Sequence, residues 1–314
     1  MAHRMATLAG LLTVMALALI GWLALPPADA QSTPSPTPTA ILLPTPALGA
    51  LDRAAVSAID LTAFPLVPEI SQTALDIYLN GLARGNDPHS FIKVGDCMTH
   101  TPYFLLPIGA GQYDLGDYGH LARVVEQFGG AERNSFARES QAAAGGFNAA
   151  SVLDSIWANP EFCQAGETPL ACELRHMQPS VALIMFGTND VQYLTEEQFD
   201  YFLRGVVVET VRHGTLPILS TFPHRPEFPE KTLLFNQIVA QIAQDYDLPL
   251  INLWLALEEL PHQGVDPADP THLTIPPSGA VCAFLGENLE AGFTVRNLLT
   301  LQALDAVLTA AEQR

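Results

Sequence analysis

At 314 residues the chain is long enough for one large α/β domain or two small ones. A hydrophobic content of 48% against 15% charged residues excludes a disordered chain and points to a sizeable core. With 14 Lys and Arg against 33 Asp and Glu, the formal net charge of −19 repels nucleic acid and anionic membrane surfaces and argues against either as a partner.

His3 and Arg4 give a short positive start, residues 5–25 are almost wholly apolar, and Pro26-Pro27 breaks the run before Ala28-Asp29-Ala30. A basic start, an apolar stretch and a small-x-small site read as a secretory signal peptide over residues 1–30, cut before Gln31. The rival reading is an uncut membrane anchor, because about 20 apolar residues span a bilayer. Either reading exports the rest of the chain to a secreted or cell-envelope location, where disulfides persist. The second adds a membrane tether through the N-terminus. Residues 31–50 are rich in Pro, Thr and Ser and read as a semi-extended linker. The folded domain is expected over 51–314.

Ser71 reads as an N-cap, followed by Ala74, Ile77, Tyr78 and Leu82 at helical spacing. Gly85-Asn86-Asp87-Pro88 ends that helix, and residues 91–94 form the first strand. A helix is expected over 118–128, closed by Gly129-Gly130, then a strand near 135–142, a helix over 148–157 and a cysteine-bounded loop. The apolar run at 181–186 reads as a strand buried on both faces. Residues 195–213 form an amphipathic helix with acidic residues in its first turn and Arg212 in its last. A strand over 216–221, a helix over 229–246 with Pro in its first turn, a strand over 248–254 and a final helix over 297–311 complete the pattern. This alternation predicts an α/β fold, a flavodoxin-like, doubly wound sheet of five parallel strands. Sites in such sheets form at the carboxyl ends of strands.

Four cysteines allow three pairings if all are bonded. Cys163 and Cys172 flank a stretch of surface-loop composition, so a local disulfide is expected there, worth roughly 2–3 kcal/mol. Cys97 and Cys282 are left, either free or paired with each other.

Four short stretches carry candidate chemistry. They are Gly95-Asp96-Cys97, Gly145-Gly146, Gly187-Thr188-Asn189-Asp190 and Asp269-Pro270-Thr271-His272. Each has an ordinary reading as turn-forming or strand-ending sequence; their order is what singles them out. Acyl transfer needs a nucleophile, a base, a group that orients the base, and donors for the oxyanion. Cys97 is the candidate nucleophile and His272 the base. Asp269, three residues earlier on a turn or short helix, would share a face with His272 and fix its tautomer. The backbone N–H groups of Cys97 and Gly146 and the side-chain amide of Asn189 are the candidate oxyanion donors.

In order and spacing, the four stretches resemble the blocks of the SGNH (GDSL-like) hydrolase family, from about Phe91 to the C-terminus and so over most of the exported chain. The resemblance implies the SGNH hydrolase fold and hydrolysis of small-molecule, carbohydrate or lipid esters without a metal or organic cofactor. It implies the same roles for Gly146, Asn189, His272 and Asp269. One position departs from the family, which carries Ser where this chain carries Cys97. A thiol of ordinary pKa near 8.5 becomes a better nucleophile if an electropositive site lowers that value, whereas a misplacement of about 1 Å costs about a hundredfold. Three outcomes stay open: a working Cys-His-Asp esterase, an inactive binding or envelope protein with Cys97 bonded to Cys282, and an enzyme active only when Cys97 is reduced. His89, His100, His224 and His262 lack metal-ligand spacing. The stretch from Tyr113 to Tyr118 reads as a polar loop, with a sugar-binding rim as the alternative.

Overall fold

The computed structural model describes residues 47–130 and 133–314, so the expected leader and all but the last four residues of the linker lie outside the described residues. Helices α1 (Arg53–Ser57) and α2 (Gln72–Ala83) precede strand β1 (Asp87–Gly95). Helices α3 (Leu106–Gly109), α4 (Ala122–Phe128) and α5 (Pro169–Met177) lead to β2 (Pro179–Met185). Next come α6 (Asp190–Tyr193), α7 (Glu196–Arg212), β3 (Leu216–Ser220), α8 (Pro229–Asp245) and β4 (Leu250–Ile251). The chain closes with α9 (Leu253–Leu257), a hairpin of β5 (Val265–Asp266) and β6 (Asp269–Leu273), and α10 (Gly292–Glu312).

Local chemistry sets the helix starts. Ser71 Oγ accepts the Ala74 N–H at 3.1 Å ahead of α2, and Thr195 with Gln198 closes a capping box at the head of α7. Strands β1 to β4 form one parallel sheet in sequence order, with Phe91 beside Val181, Leu183 beside Ile218 and Leu219 beside Leu250. Every residue of β2 is buried, which is why its sequence is continuously apolar. Helices α2, α4 and α10 pack together against one face, and α5, α7 and α8 against the other. The fold is therefore α/β and doubly wound. Phe91 meets Phe128 and Phe136 edge-on at 5.3 and 5.1 Å, and Phe199 of α7 stacks on Phe235 of α8 at 4.4 Å. Each such buried ring contributes about 1.5–3 kcal/mol of transfer free energy.

Among the described residues the sheet has four strands rather than the expected five. The segment near 135–142 forms no ladder with β1: an isolated bridge joins Gly95 to Ala143, and Ser135 Oγ accepts the Phe91 N–H. Its backbone donors are turned elsewhere: Arg138 N–H to Asn134 O, Gln141 N–H to Glu173, and Ala142 N–H to Ser140 Oγ. A ladder needs those donors, so none extends. The bridge lies on the outer side of β1, where a flavodoxin-like order places its second strand.

Residues 148–157, expected as a helix, form two 3₁₀ turns, Ser151–Leu153 and Ser155–Trp157. Asn148 Oδ1 accepts from the Ala150 and Ser151 N–H groups and Asp154 Oδ1 from that of Ile156, replacing helical carbonyls. Residues 118–128 divide after Leu121 into the end of a 3₁₀ segment, Gly116–Leu121, which is kinked at Tyr118, and α4. Only Leu250–Ile251 of the expected last strand remains, because Asn252 caps α9. The cysteine loop contains a helix that was not expected: Thr168 caps α5 and Pro169 takes its first position. The expected disulfide joins Cys163 to Cys172 on the buried side of α5. Among the described residues, no helix is long and apolar enough to cross a membrane.

Candidate active site

Strand β1 ends at Gly95, and only glycine fits there. A Cβ would meet Thr99 Oγ1 at 2.4 Å and the Met185 carbonyl at 2.5 Å. Asp96 then folds the turn. Its Oδ1 accepts the Met98 N–H at 3.0 Å, and its carbonyl accepts those of Thr99 and His100 at 2.9 and 2.8 Å. This turn leaves Cys97 half-buried with a free thiol. Cys282 is also free; it is buried and takes a hydrogen bond from the Asn297 amide at 3.3 Å. The pairing of Cys97 with Cys282 is therefore not formed.

The two candidate oxyanion loops are tied together by side chains. Asp190 Oδ1 accepts the Ala149 N–H and its Oδ2 the Gly187 N–H, both at 2.8 Å. Asn189 Nδ2 donates to the Phe147 carbonyl at 2.8 Å, which sets its amide beside Gly146 with one N–H unspent. Buried Arg225 donates to the Thr188 carbonyl. Gly187 has φ +136° and a Cβ there would fall 2.1 Å from the Phe222 ring, so this turn also requires glycine. Gly146 has φ +83° and open space on its Cβ side. Among the described residues, the backbone N–H groups of Cys97 and Gly146 donate to no backbone carbonyl.

Asp269 and His272 lie on the extended strand β6 rather than on the expected turn or short helix. They meet because Asp269 sits beside the hairpin turn, paired with Asp266, and curls its carboxylate back along its own strand. Its Oδ1 accepts from Thr271, and its Oδ2 lies 2.7 Å from His272 Nδ1. A proton on Nδ1 donated to Asp269 leaves Nε2 as the acceptor. The hairpin rests on the start of α10 through a glycine pair, since a Cβ on Gly292 would meet the Gly264 carbonyl at 2.2 Å.

Electrostatics link this hairpin to the Cys97 turn. The charge of His272 acts on Asp96, and that of Asp269 acts on Cys97. Burial pushes the Cys97 thiol up to about 12, aided by the Asp96 and Asp269 carboxylates and opposed by the N–H groups of Met98 and Cys97. Arg296 acts on Cys97 as well, yet burial and the Asp96 charge outweigh it, so the thiol is not activated in advance. Burial raises Asp96 to about 6, although the Met98 N–H, Arg296, Thr188 and His272 favour its charged form. Burial likewise raises Asp190 to about 7, against the Ala149 N–H and with the Asp96 charge. Thr271, then His272, holds exposed Asp269 below its usual range.

Several supports of the site escape sequence reasoning. Asp96 and Asp190 read as ordinary turn formers. Arg296 on α10 is buried beneath the Cys97 turn, donates to the Met98 carbonyl and to Thr99 Oγ1, and lies 3.7 Å over the Phe104 ring. Burial lowers its pKa to about 9. An arginine inside Gly-Phe-Thr-Val-Arg-Asn-Leu-Leu is a legible anomaly, and it was the available signal. At Tyr113 to Tyr118, Asp114 bridges to Ala283 and Tyr118 packs edge-on against Phe284 at 6.5 Å.

No family model matches the chain, and no curated protein matches it. Among solved structures it is similar to LAE5, an alpha/beta hydrolase enzyme from the metagenome of Lake Arreo, at 15% identity and a TM-score of 0.46 over 69% of this chain and 95% of that one. It is similar to the esterase EstA from Pseudoalteromonas sp. at 13% identity and a TM-score of 0.45, over 70% and 99%. It is also similar to a catalytic mutant of Axe2, an acetylxylan esterase from Geobacillus stearothermophilus, at 16% identity and a TM-score of 0.43, over 68% and 93%.

Proposed function

We propose that this chain is an exported ester hydrolase with Cys97 as nucleophile, His272 as base and Asp269 as the group that orients the base. One observation carries the reading: an Asp269–His272 pair held at 2.7 Å on a hairpin within charge reach of the Cys97 turn. The unspent N–H groups of Cys97 and Gly146 and the free N–H of Asn189 supply the oxyanion donors.

In this reading, His272 Nε2 takes the thiol proton as Sγ attacks the ester carbonyl carbon. The carbonyl oxygen becomes an oxyanion on the three donors. The intermediate collapses, the C–O bond breaks, and His272 returns the proton to the departing alcohol. Water then attacks the acyl-thioester with His272 again as base, releasing the acid and restoring the thiol. A thiol pushed up to about 12 is protonated at neutral pH, so its proton leaves during attack rather than before it. The Cys163–Cys172 disulfide supports an oxidising compartment, in agreement with the leader read from the sequence.

The same high thiol pKa favours a second reading, a non-catalytic binding protein on this scaffold. The test is turnover of p-nitrophenyl acetate by the purified protein, with and without reductant, beside Cys97→Ala. Turnover independent of reductant and lost in Cys97→Ala is expected. No turnover in either condition would leave the binding reading, and undiminished turnover in Cys97→Ala would remove Cys97 from the chemistry.

A further inference from the structure

Lys93 interrupts an apolar strand. Phe91, Ile92 and Val94 around it are fully buried, and Lys93 itself is 7% exposed. Its ammonium donates to the Phe136 carbonyl at 3.1 Å, and among the described residues it forms no ion pair with a carboxylate. Buried charges in proteins are otherwise paired or bound to a ligand. Lys93 borders a pocket of ≈160 Å³ walled by Thr99, Thr101, Leu106, Ala137 and Arg138. A cavity of about 150 Å³ takes a molecule the size of benzene. Arg138 is paired with buried Glu173, yet its Nε is buried with no hydrogen-bond partner.

We propose that this pocket binds a small monocarboxylate, with its oxygens on the Lys93 ammonium and Arg138 Nε and its short apolar tail against Leu106 and Ala137. Glu173 already neutralises Arg138, and Glu139 on the same wall is exposed to solvent, so the buried charge left without an ion pair is that of Lys93, which selects a monoanion. The threonine hydroxyls of the wall suit a carboxylate head, and the volume limits the tail to a few carbons. The pocket shares Thr99 with the Cys97 turn, but binding there needs no ester chemistry.

The charged groups facing Lys93 set the pH behaviour. Burial, then repulsion from Arg138 and Arg296, brings Lys93 down to about 8, with exposed Glu139 opposing. His100 lies on the same pocket wall. Anion binding requires protonated Lys93, so affinity is full below about pH 8 and falls above it. Calorimetric titration of the purified full chain with sodium propionate tests this, with propionamide as the neutral isostere. Propionate is expected to bind at pH 7, to weaken about tenfold by pH 9, and to outbind propionamide at pH 7. Lys93→Met, which removes the charge, and Leu106→Trp, which fills the tail site and leaves the charge, are each expected to abolish binding. Circular dichroism verifies their fold, and the wild-type pH and propionamide comparisons stand without them. Absence of propionate binding at pH 7, equal binding of propionamide, or undiminished binding in either folded variant would overturn the proposal.

Discussion

Asp190 spends both carboxylate oxygens on backbone N–H groups from two loops, those of Ala149 and Gly187. Asp190→Ala would orphan two buried donors at about 1–3 kcal/mol each, so urea denaturation is expected to show a loss of about 2–6 kcal/mol. Ester turnover is expected to fall with it, because the same bonds align Gly146 with Asn189. The carboxylate also sets a pH dependence. Asp96 and Asp190 are raised to about 6 and about 7, so the folded state holds their protons more tightly than the unfolded state. Their contribution is complete below the ordinary carboxylate pKa of about 3.9 and is lost as pH rises through the folded values. The thermal midpoint is therefore expected to fall between pH 5 and pH 8, and the fall should shrink in Asp190→Asn. Asp269 is lowered, so its opposite contribution changes in a more acidic range. At this scale the sequence exposes a reactive atom but not its burial. Cys97, Asn189 and His272 stand out by chemistry, while Asp96, Asp190 and Lys93 acquire theirs only when the chain closes over them.

The hairpin of β5 and β6 delivers Asp269 and His272, and its seat on α10 depends on Gly264 and Gly292 approaching without side chains. Gly292→Ala would add a Cβ 2.2 Å from the Gly264 carbonyl and push the hairpin outward. Such a shift is expected to cut kcat about a hundredfold, as a 1 Å misplacement does, with far-ultraviolet circular dichroism unchanged. An unchanged kcat would show that the hairpin does not position the base. Elements with strong periodicity or caps, such as α7 and β2, were legible from sequence. Residues 135–142 and 148–157 were not, because Asn134, Ser140, Asn148, Asp154 and Glu173 divert backbone hydrogen bonds that propensity assigns to a ladder or helix. The hairpin was missed for a related reason: its strands are too short to alternate visibly.

At the scale of the molecule, the alternation of strands and helices was enough to give a doubly wound parallel sheet, and only the strand count fell short. The motif order placed Cys97 and Asn189 after adjacent strands β1 and β2, which the topology then set side by side. The Cys163–Cys172 disulfide closes a short loop onto α5, away from Cys97 in sequence. Replacing both cysteines by serine is expected to lower stability by roughly 2–3 kcal/mol in urea, while leaving ester turnover intact. Loss of turnover without loss of stability would instead tie this loop to the site.

The most direct measurement is mass spectrometry of the protein quenched in acid during turnover of p-nitrophenyl acetate. One acetyl group on the tryptic peptide that carries Cys97, absent in Cys97→Ala and strongly diminished in His272→Ala, which lacks the base for acylation, is the expected result. Turnover with no acyl group on that peptide, or with acetyl on a different residue, would contradict Cys97 as the nucleophile.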